Sequence, residues 1–448
     1  MKYRLAIILP ILLLSACKVD QELGLTEESR APIQDKNPSN CPKWKAGDMV
    51  NITENTTLPK GCNYDRVSFE ISTSNLTFDC NNATLNGLGK TKRNTFFLAY
   101  KRDESPLLAA FFIRGSEDNF IENVTIKNCN ITFYINGINV DFLLNEATHN
   151  DLKNKINVTS LEEHLRAISP KNIEVKNTQI TASHKTGIYL QRYITDFKLT
   201  NSTLKANDIG IYLESGTRNN LISHSVFTKN GETTYNIDTR KRTLRIRKRE
   251  AIAIDSSAYN TITDNQFINN AGGAIFLYKN CYENHIDSNS LPRFQYSSFN
   301  IIKNNTFSDE RKGVWIASRQ SRDLDNFNCG DPIVYATEDN KKKYYQDFSR
   351  SNQVINNVFD GVEKSILIED DDNIISNNTF SGESRNDVSI GTEIRSKYLN
   401  HPVRRTTLEY NIFDSTATPH VRILYGATEN RFNNNKPAIS LEESIQEE

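Results

Sequence analysis

Short runs in which aliphatic and polar residues alternate recur along most of the chain, and no apolar period of 3.6 residues persists beside them. A loose template, Asn-x-apolar-x-x-Asn-x-apolar, returns at Asn219 to Phe227, Asn260 to Phe267, Asn300 to Phe307, Asn352 to Phe359 and Asn373 to Phe380. A second short strand follows such copies, opened by a small residue, as in Gly187-Ile188-Tyr189-Leu190, Gly210-Ile211-Tyr212-Leu213, Ala251-Ile252-Ala253-Ile254, Ala274-Ile275-Phe276-Leu277 and Gly313-Val314-Trp315-Ile316. From Gly187 to Gly210, and again from Ala251 to Ala274, the repeat is 23 residues (210 − 187 and 274 − 251). That length suits one turn of a three-sided solenoid with tight corners. The recurring asparagines suit the corners, where they tolerate left-handed backbone and can hydrogen-bond as a ladder, and the recurring phenylalanines are expected to stack inside.

These repeats resemble the parallel β-helix of the pectate-lyase-like superfamily, which includes alginate lyases, uronate epimerases and polygalacturonases. The resemblance runs from about Ser68 to Phe432, and the stretches Asn75 to Gly87 and Asn123 to Cys129 are typical of its early turns. It implies an all-β fold, a single-stranded right-handed parallel β-helix with long loop insertions. It does not fix an activity, because one scaffold carries lyases, hydrolases, epimerases and adhesins. Neither the Asp-Pro-His-Asp motif of the alginate epimerases nor the Gly-His-Gly and Arg-Ile-Lys motifs of the polygalacturonases is present.

Alternation sends Ile252 and Ile254 inward, so Ala253 and Asp255 point out. Stacking the turns gives one outward column of Asn139, Tyr189, Tyr212, Ala253, Phe276, Trp315 and Leu367. Its neighbour reads Asp141, Gln191, Glu214, Asp255, Tyr278, Ala317 and Glu369. Tyr189, Tyr212, Phe276 and Trp315 then offer rings to sugars. Insertions at about 142–170, 231–249 and 319–351 wall this face, and 282–298 is either a fourth insertion or an extra partial turn. The second insertion holds the basic run Arg240, Lys241, Arg242, Arg245, Arg247, Lys248 and Arg249, which suits an anionic glycan. Glu214, Asp255, Tyr278, Lys279 and Arg319 form the candidate catalytic set. Two carboxylates on neighbouring turns should repel and raise one pKa. With a uronate substrate, Arg319 or Lys279 would neutralise the carboxylate, and Tyr278, Lys279 or a carboxylate would remove the C5 proton, giving β-elimination or epimerisation. With a neutral substrate, Glu214 and Asp255 would form a hydrolase pair. A glycan-binding or structural protein without turnover is the third reading.

The amino terminus adds a compartment. Lys2 and Arg4 precede an apolar run that ends at Leu14-Ser15-Ala16-Cys17, which resembles a bacterial lipobox, with residues 1–16 removed and Cys17 lipidated. Export to the outer membrane on a lipid anchor follows from the resemblance. Residues 17–40 read as a flexible tether, 41–435 as the β-helix domain and 436–448 as a mobile acidic tail. Six cysteines remain after Cys17, and fifteen pairings are open; pairs between sequence neighbours, Cys41 with Cys62, Cys80 with Cys129 and Cys281 with Cys329, are the expectation. A net charge of −1 gives no pull towards nucleic acid. No cofactor is required, and no metal motif appears; calcium at Glu369-Asp370-Asp371-Asp372 is the one cation site that the sequence suggests.

Overall fold

The computed structural model describes residues 37–87, 107–238, 243–280, 282–283, 291–317, 321–322, 327–328, 333–339, 343–345, 348–439 and 445–446. Three long parallel sheets, of thirteen, twelve and eleven strands, carry the chain. Each turn adds one strand to every sheet, so neighbours in a sheet come from successive turns. Registers bear out the short repeat: Ile188 pairs with Ile211 in the first sheet, and Ile252 with Ile275. Strands of three to six residues suffice because each turn buries its alternate side chains on the turns above and below.

The interior is a column of aliphatics that includes a long aromatic stack. Phe227, Phe267, Phe307, Phe359, Phe380 and Phe413 lie ring on ring, with centroids 4.6 to 5.1 Å apart. The small residues that open the first-sheet strands make room for it. A Cβ on Gly210 would stand 2.6 Å from the Ala251 carbonyl and 3.0 Å from the Phe227 ring.

Every corner of the coil carries its own asparagine ladder, where the sequence suggested one. Asn220, Asn260, Asn300, Asn352 and Asn373 enter the second sheet, each side-chain amide donating to the next at 2.8 to 3.3 Å. Asn265, Asn305, Asn357, Asn378, Asn411 and Asn435 link the second sheet to the third, at 3.0 Å per step. Asn207, Asn230 and Asn270 return to the first sheet and end on Glu310. The ladders satisfy buried corner amides that no strand pairs. Flanking corner positions with positive φ, such as Asn219 and Asn304, are mostly short polar residues that accept this backbone.

Cys41–Cys62 and Cys80–Cys129 are bonded as expected; Cys281 and Cys329 lie outside the described residues, as do the lipobox and Cys17. The insertion after Leu143 folds into helices Glu146–Lys153 and Val158–Ile168, the first capped by the Asn145 side chain. The second is an antiparallel hairpin, Glu232–Asp238 with Thr243–Lys248, and the third contains a small sheet of Ser321–Arg322, Ile333–Ala336 and Lys343–Tyr345. Among the described residues, no strand between Tyr278 and Asn300 joins the three long sheets: Gly273–Tyr278 pairs directly with Val314–Ile316, and Thr261–Thr263 with Ile301–Lys303. Within the expected tail, Ile445–Gln446 pairs with Ile423–Leu424 of the first sheet. No helix among the described residues is long and apolar enough to cross a membrane.

Candidate functional site

The outer face of the first sheet gathers the expected aromatic column in register. Asn139, Tyr189, Tyr212, Ala253, Phe276, Trp315 and Leu367 are Cα partners on successive strands. Tyr189, Tyr212 and Trp315 are half-buried, and Phe276 is buried. Around Ala253, Tyr212, Phe276 and Trp315 close with Ile209, Tyr278 and Ala317 into a small apolar cluster on the outside of the coil, separate from the interior. Tyr189 and Tyr212 lie 5.8 Å apart, and Phe276 meets Trp315 edge on at 5.1 Å. The Lys312 ammonium stands 4.1 Å above the Trp315 ring and 5.3 Å from Phe276. Burial pulls the Lys312 pKa down, helped by Lys364 and Arg311 and opposed by Glu369.

The middle of the neighbouring column is sealed. Asp255 is 0 % exposed and Glu214 is 8 % exposed, because the segment from Leu291 to Ser298 lies against them. Arg293 from that segment reaches both, 3.3 Å from Asp255 and 3.5 Å from Glu214. Arg192 adds a contact to Glu214 at 3.4 Å and donates to the carbonyls of Leu291 and Pro292. Tyr189 donates its hydroxyl to Glu214, and Tyr212 donates to Asp255. Asn280 donates to both Asp255 oxygens, from its backbone at 2.8 Å and its side chain at 2.7 Å.

This arrangement corrects the expected titration. Burial pushes the Asp255 carboxyl up, yet the Arg293 charge with the Tyr212 and Asn280 hydrogen bonds outweighs it, and the pKa falls below the ordinary value. One arginine, Arg293, holds both carboxylates. A hydrolase pair needs a protonated acid, and Asp255 is not one. Burial, with Asp255 beside it, also drives the Tyr212 hydroxyl far up, and burial with Glu250 does so for Tyr278, so neither is an ionised base near neutral pH. Tyr278 instead donates to Glu250 at 2.5 Å.

The remaining expected residues divide. Arg249 is half-buried and paired with Glu250 at 3.3 Å, so it faces a carboxylate of its own chain. Lys279 is buried, with its ammonium 4.6 Å from the Tyr296 ring. Arg319, Arg240, Lys241 and Arg242 lie outside the described residues. The suggested calcium cluster is spent on arginine: buried Arg395 pairs with Asp370 at 2.6 Å and Asp371 at 2.9 Å, and Arg405 holds Asp372 at 2.6 Å. No group of acids, histidines and cysteines among the described residues is arranged to hold a metal. Sequence reading missed Arg293, Arg192, Asn280, Glu250 and Lys312. The available signal was an outward carboxylate, Asp255, with an arginine in a nearby stretch that broke the repeat.

A family model described as the right handed beta helix region matches residues 109–329. The chain is a right-handed parallel β-helix. No curated protein matches its sequence. Among solved structures, this β-helix is similar to ORF18 of Geobacillus virus E2, at 11 % identity and a TM-score of 0.41, over 86 % of this chain and 54 % of that one. It thus spans about half the length of the viral protein. It is also similar to an alginate lyase from Paenibacillus sp., at 11 % identity and a TM-score of 0.35, over 87 % of this chain and 93 % of that one. The A-module of a mannuronan C-5 epimerase from Azotobacter vinelandii is a third, at 10 % identity and a TM-score of 0.38, over 88 % and 89 %.

Proposed function

We propose that this β-helix is a carbohydrate-active, lipid-anchored protein of the bacterial outer membrane that takes an acidic, uronate-type polysaccharide along the outer face of its first sheet. The observation that carries the reading is the register-aligned run of half-buried Tyr189, Tyr212 and Trp315, with Lys312 seated on the tryptophan. Rings on a rigid sheet meet sugar faces at little entropic cost, and a cation beside them favours a carboxylated ring. β-Elimination or C5 epimerisation is the chemistry we assign. Lys312, half-buried on the Trp315 ring, joins Arg319 as a candidate for neutralising the substrate carboxylate, and Tyr278 is withdrawn as the base. Glu214, Asp255 and Arg293 position Tyr189 and Tyr212, and Lys279, buried against the Tyr296 ring, is withdrawn from the substrate-facing set.

A second reading, binding without turnover, is favoured by the burial of both Glu214 and Asp255. Incubation of the full chain with alginate and polygalacturonate separates the two. Ultraviolet absorbance of unsaturated ends reports elimination, deuterium uptake at C5 reports epimerisation, and reducing ends without absorbance report hydrolysis. Lys312→Met is expected to abolish turnover and to weaken electrophoretic retardation by the polymer. Retardation without any turnover by the wild type would leave the binding reading standing, and neither signal would end both. For the anchor, palmitate incorporation that is lost in Cys17→Ser is the expected result.

A further inference from the structure

Towards the amino-terminal end of the same outer face lies a polar group that this reading leaves unused. Phe112, Asn139 and Tyr189 are register partners on three successive strands, and Arg114 faces Asp141 in the next column. Asn139 is 6 % exposed, and its Oδ1 has no hydrogen-bond partner. A buried amide oxygen without a donor is costly, so it marks a place where a donor arrives from outside the chain.

The surroundings restrict what that donor is. Arg114 lies 4.2 Å over the Phe112 ring and is shared between Glu70, at 3.1 Å, and Asp141, at 3.5 Å. Arg114 is therefore already neutralised. Asp141 has the looser share of the arginine, and its side chain stays partly open to solvent. Gln191, on the following turn, is held in place by the Phe142 backbone N–H at 2.7 Å. A carboxylate cannot donate to Asn139 Oδ1, and Arg114, the cation facing Asp141, is occupied. A sugar hydroxyl can donate, and its own oxygen can accept from Asp141 when that group is protonated.

We infer that Asn139, Asp141 and Tyr189 form a sugar-ring subsite that reads hydroxyl groups, distinct from the Lys312–Trp315 end that reads a carboxylate. The inference rests on the polysaccharide reading and deepens it. Five strand steps separate Asn139 from Trp315, about 24 Å along the coil at ~4.8 Å per step, so one polymer strand would engage both ends. Burial, with Glu70 adding to it and Arg114 opposing, raises the Asp141 pKa. The charged groups facing Asp141 are Arg114 and Glu70 on the preceding strands, while the following turn presents neutral Gln191 and Tyr189.

The test uses the full chain, Asn139→Leu and Asp141→Asn, with alginate and polygalacturonate as probes in affinity electrophoresis over a range of pH. Asn139→Leu is expected to weaken binding about tenfold, the loss of one hydrogen bond, with a thermal midpoint at or above that of the wild type because no internal bond is removed. Wild-type binding should weaken as pH rises and Asp141 gains a charge that repels the polyanion; Asp141→Asn should flatten that dependence. Variants that bind like the wild type overturn the subsite alone. A lower midpoint in Asn139→Leu that accounts for its weaker binding also overturns it, by making the residue structural. A wild type that binds neither polymer overturns the acidic-polymer reading and the subsite together.

Discussion

The third asparagine ladder ends on a carboxyl group, and that exchange predicts a pH-dependent weakness in the coil. Asn207, Asn230 and Asn270 pass hydrogen bonds down the corner, and Asn270 donates its side-chain amide to Glu310 at 2.6 Å and its backbone N–H at 3.1 Å. Glu310 is 2 % exposed. Burial pushes its pKa up to about 8, with Asp309 adding to it, and the two Asn270 bonds only partly offset this. The folded chain therefore binds a proton that the unfolded chain has released. Stability from this group is fully present below the unfolded value near 4.5 and is lost as pH rises through the folded value near 8. At about 1.4 kcal/mol per pH unit, the loss between about pH 5 and pH 8 is roughly 3–4 kcal/mol. Glu310→Gln keeps the length and the acceptor oxygen but cannot ionise. Urea denaturation followed by circular dichroism should find the variant close to the wild type at the acid end and roughly 3 kcal/mol more stable at the alkaline end. Parallel pH profiles for the two proteins would refute the reasoning.

Arg293→Met should strand the buried Asp255 carboxylate and cost about 3–5 kcal/mol, and adding Asp255→Asn should recover much of that; additive losses in a double-mutant cycle would contradict the ion-pair account. Asn305→Ala removes a rung that accepts from Asn265 and donates to Asn357, and about 3 kcal/mol should be lost in denaturant melts, against about 1 kcal/mol for the exposed Asn304→Ala, where the cost is left-handed backbone and one exposed bond. Opening Cys80–Cys129, which closes a loop of 49 residues in sequence, should cost about 4 kcal/mol, read as the difference between oxidised and Cys80→Ser/Cys129→Ser chains.

Much of the outer face was legible because parallel strands of a coil repeat their inside–outside alternation without slipping. Ile252 and Ile254 had to enter the core, and that fixed Tyr212, Ala253, Phe276 and Trp315 in one column, in the order the registers show. The ladders were legible as a habit of the sequence but not as three separate corners, since the template merged positions such as Asn260 and Asn265 that serve different turns of the backbone. What covers the face was not legible. Arg293 follows a proline in a stretch without period, so nothing local tied it to Glu214 and Asp255, although burying two carboxylates demands a cation from somewhere. The same absence of pattern hid the pairing of Arg249 with its own neighbour Glu250, which turns an expected ligand-binding charge inward.

The most direct test of the account is a crystal structure of the full chain soaked with an alginate or polygalacturonate oligomer. Sugar rings lying along the first sheet over Tyr189, Tyr212 and Trp315, with a carboxylate at Lys312, are the predicted result. Oligomer seated on the second or third sheet, with the aromatic column bare, would contradict it.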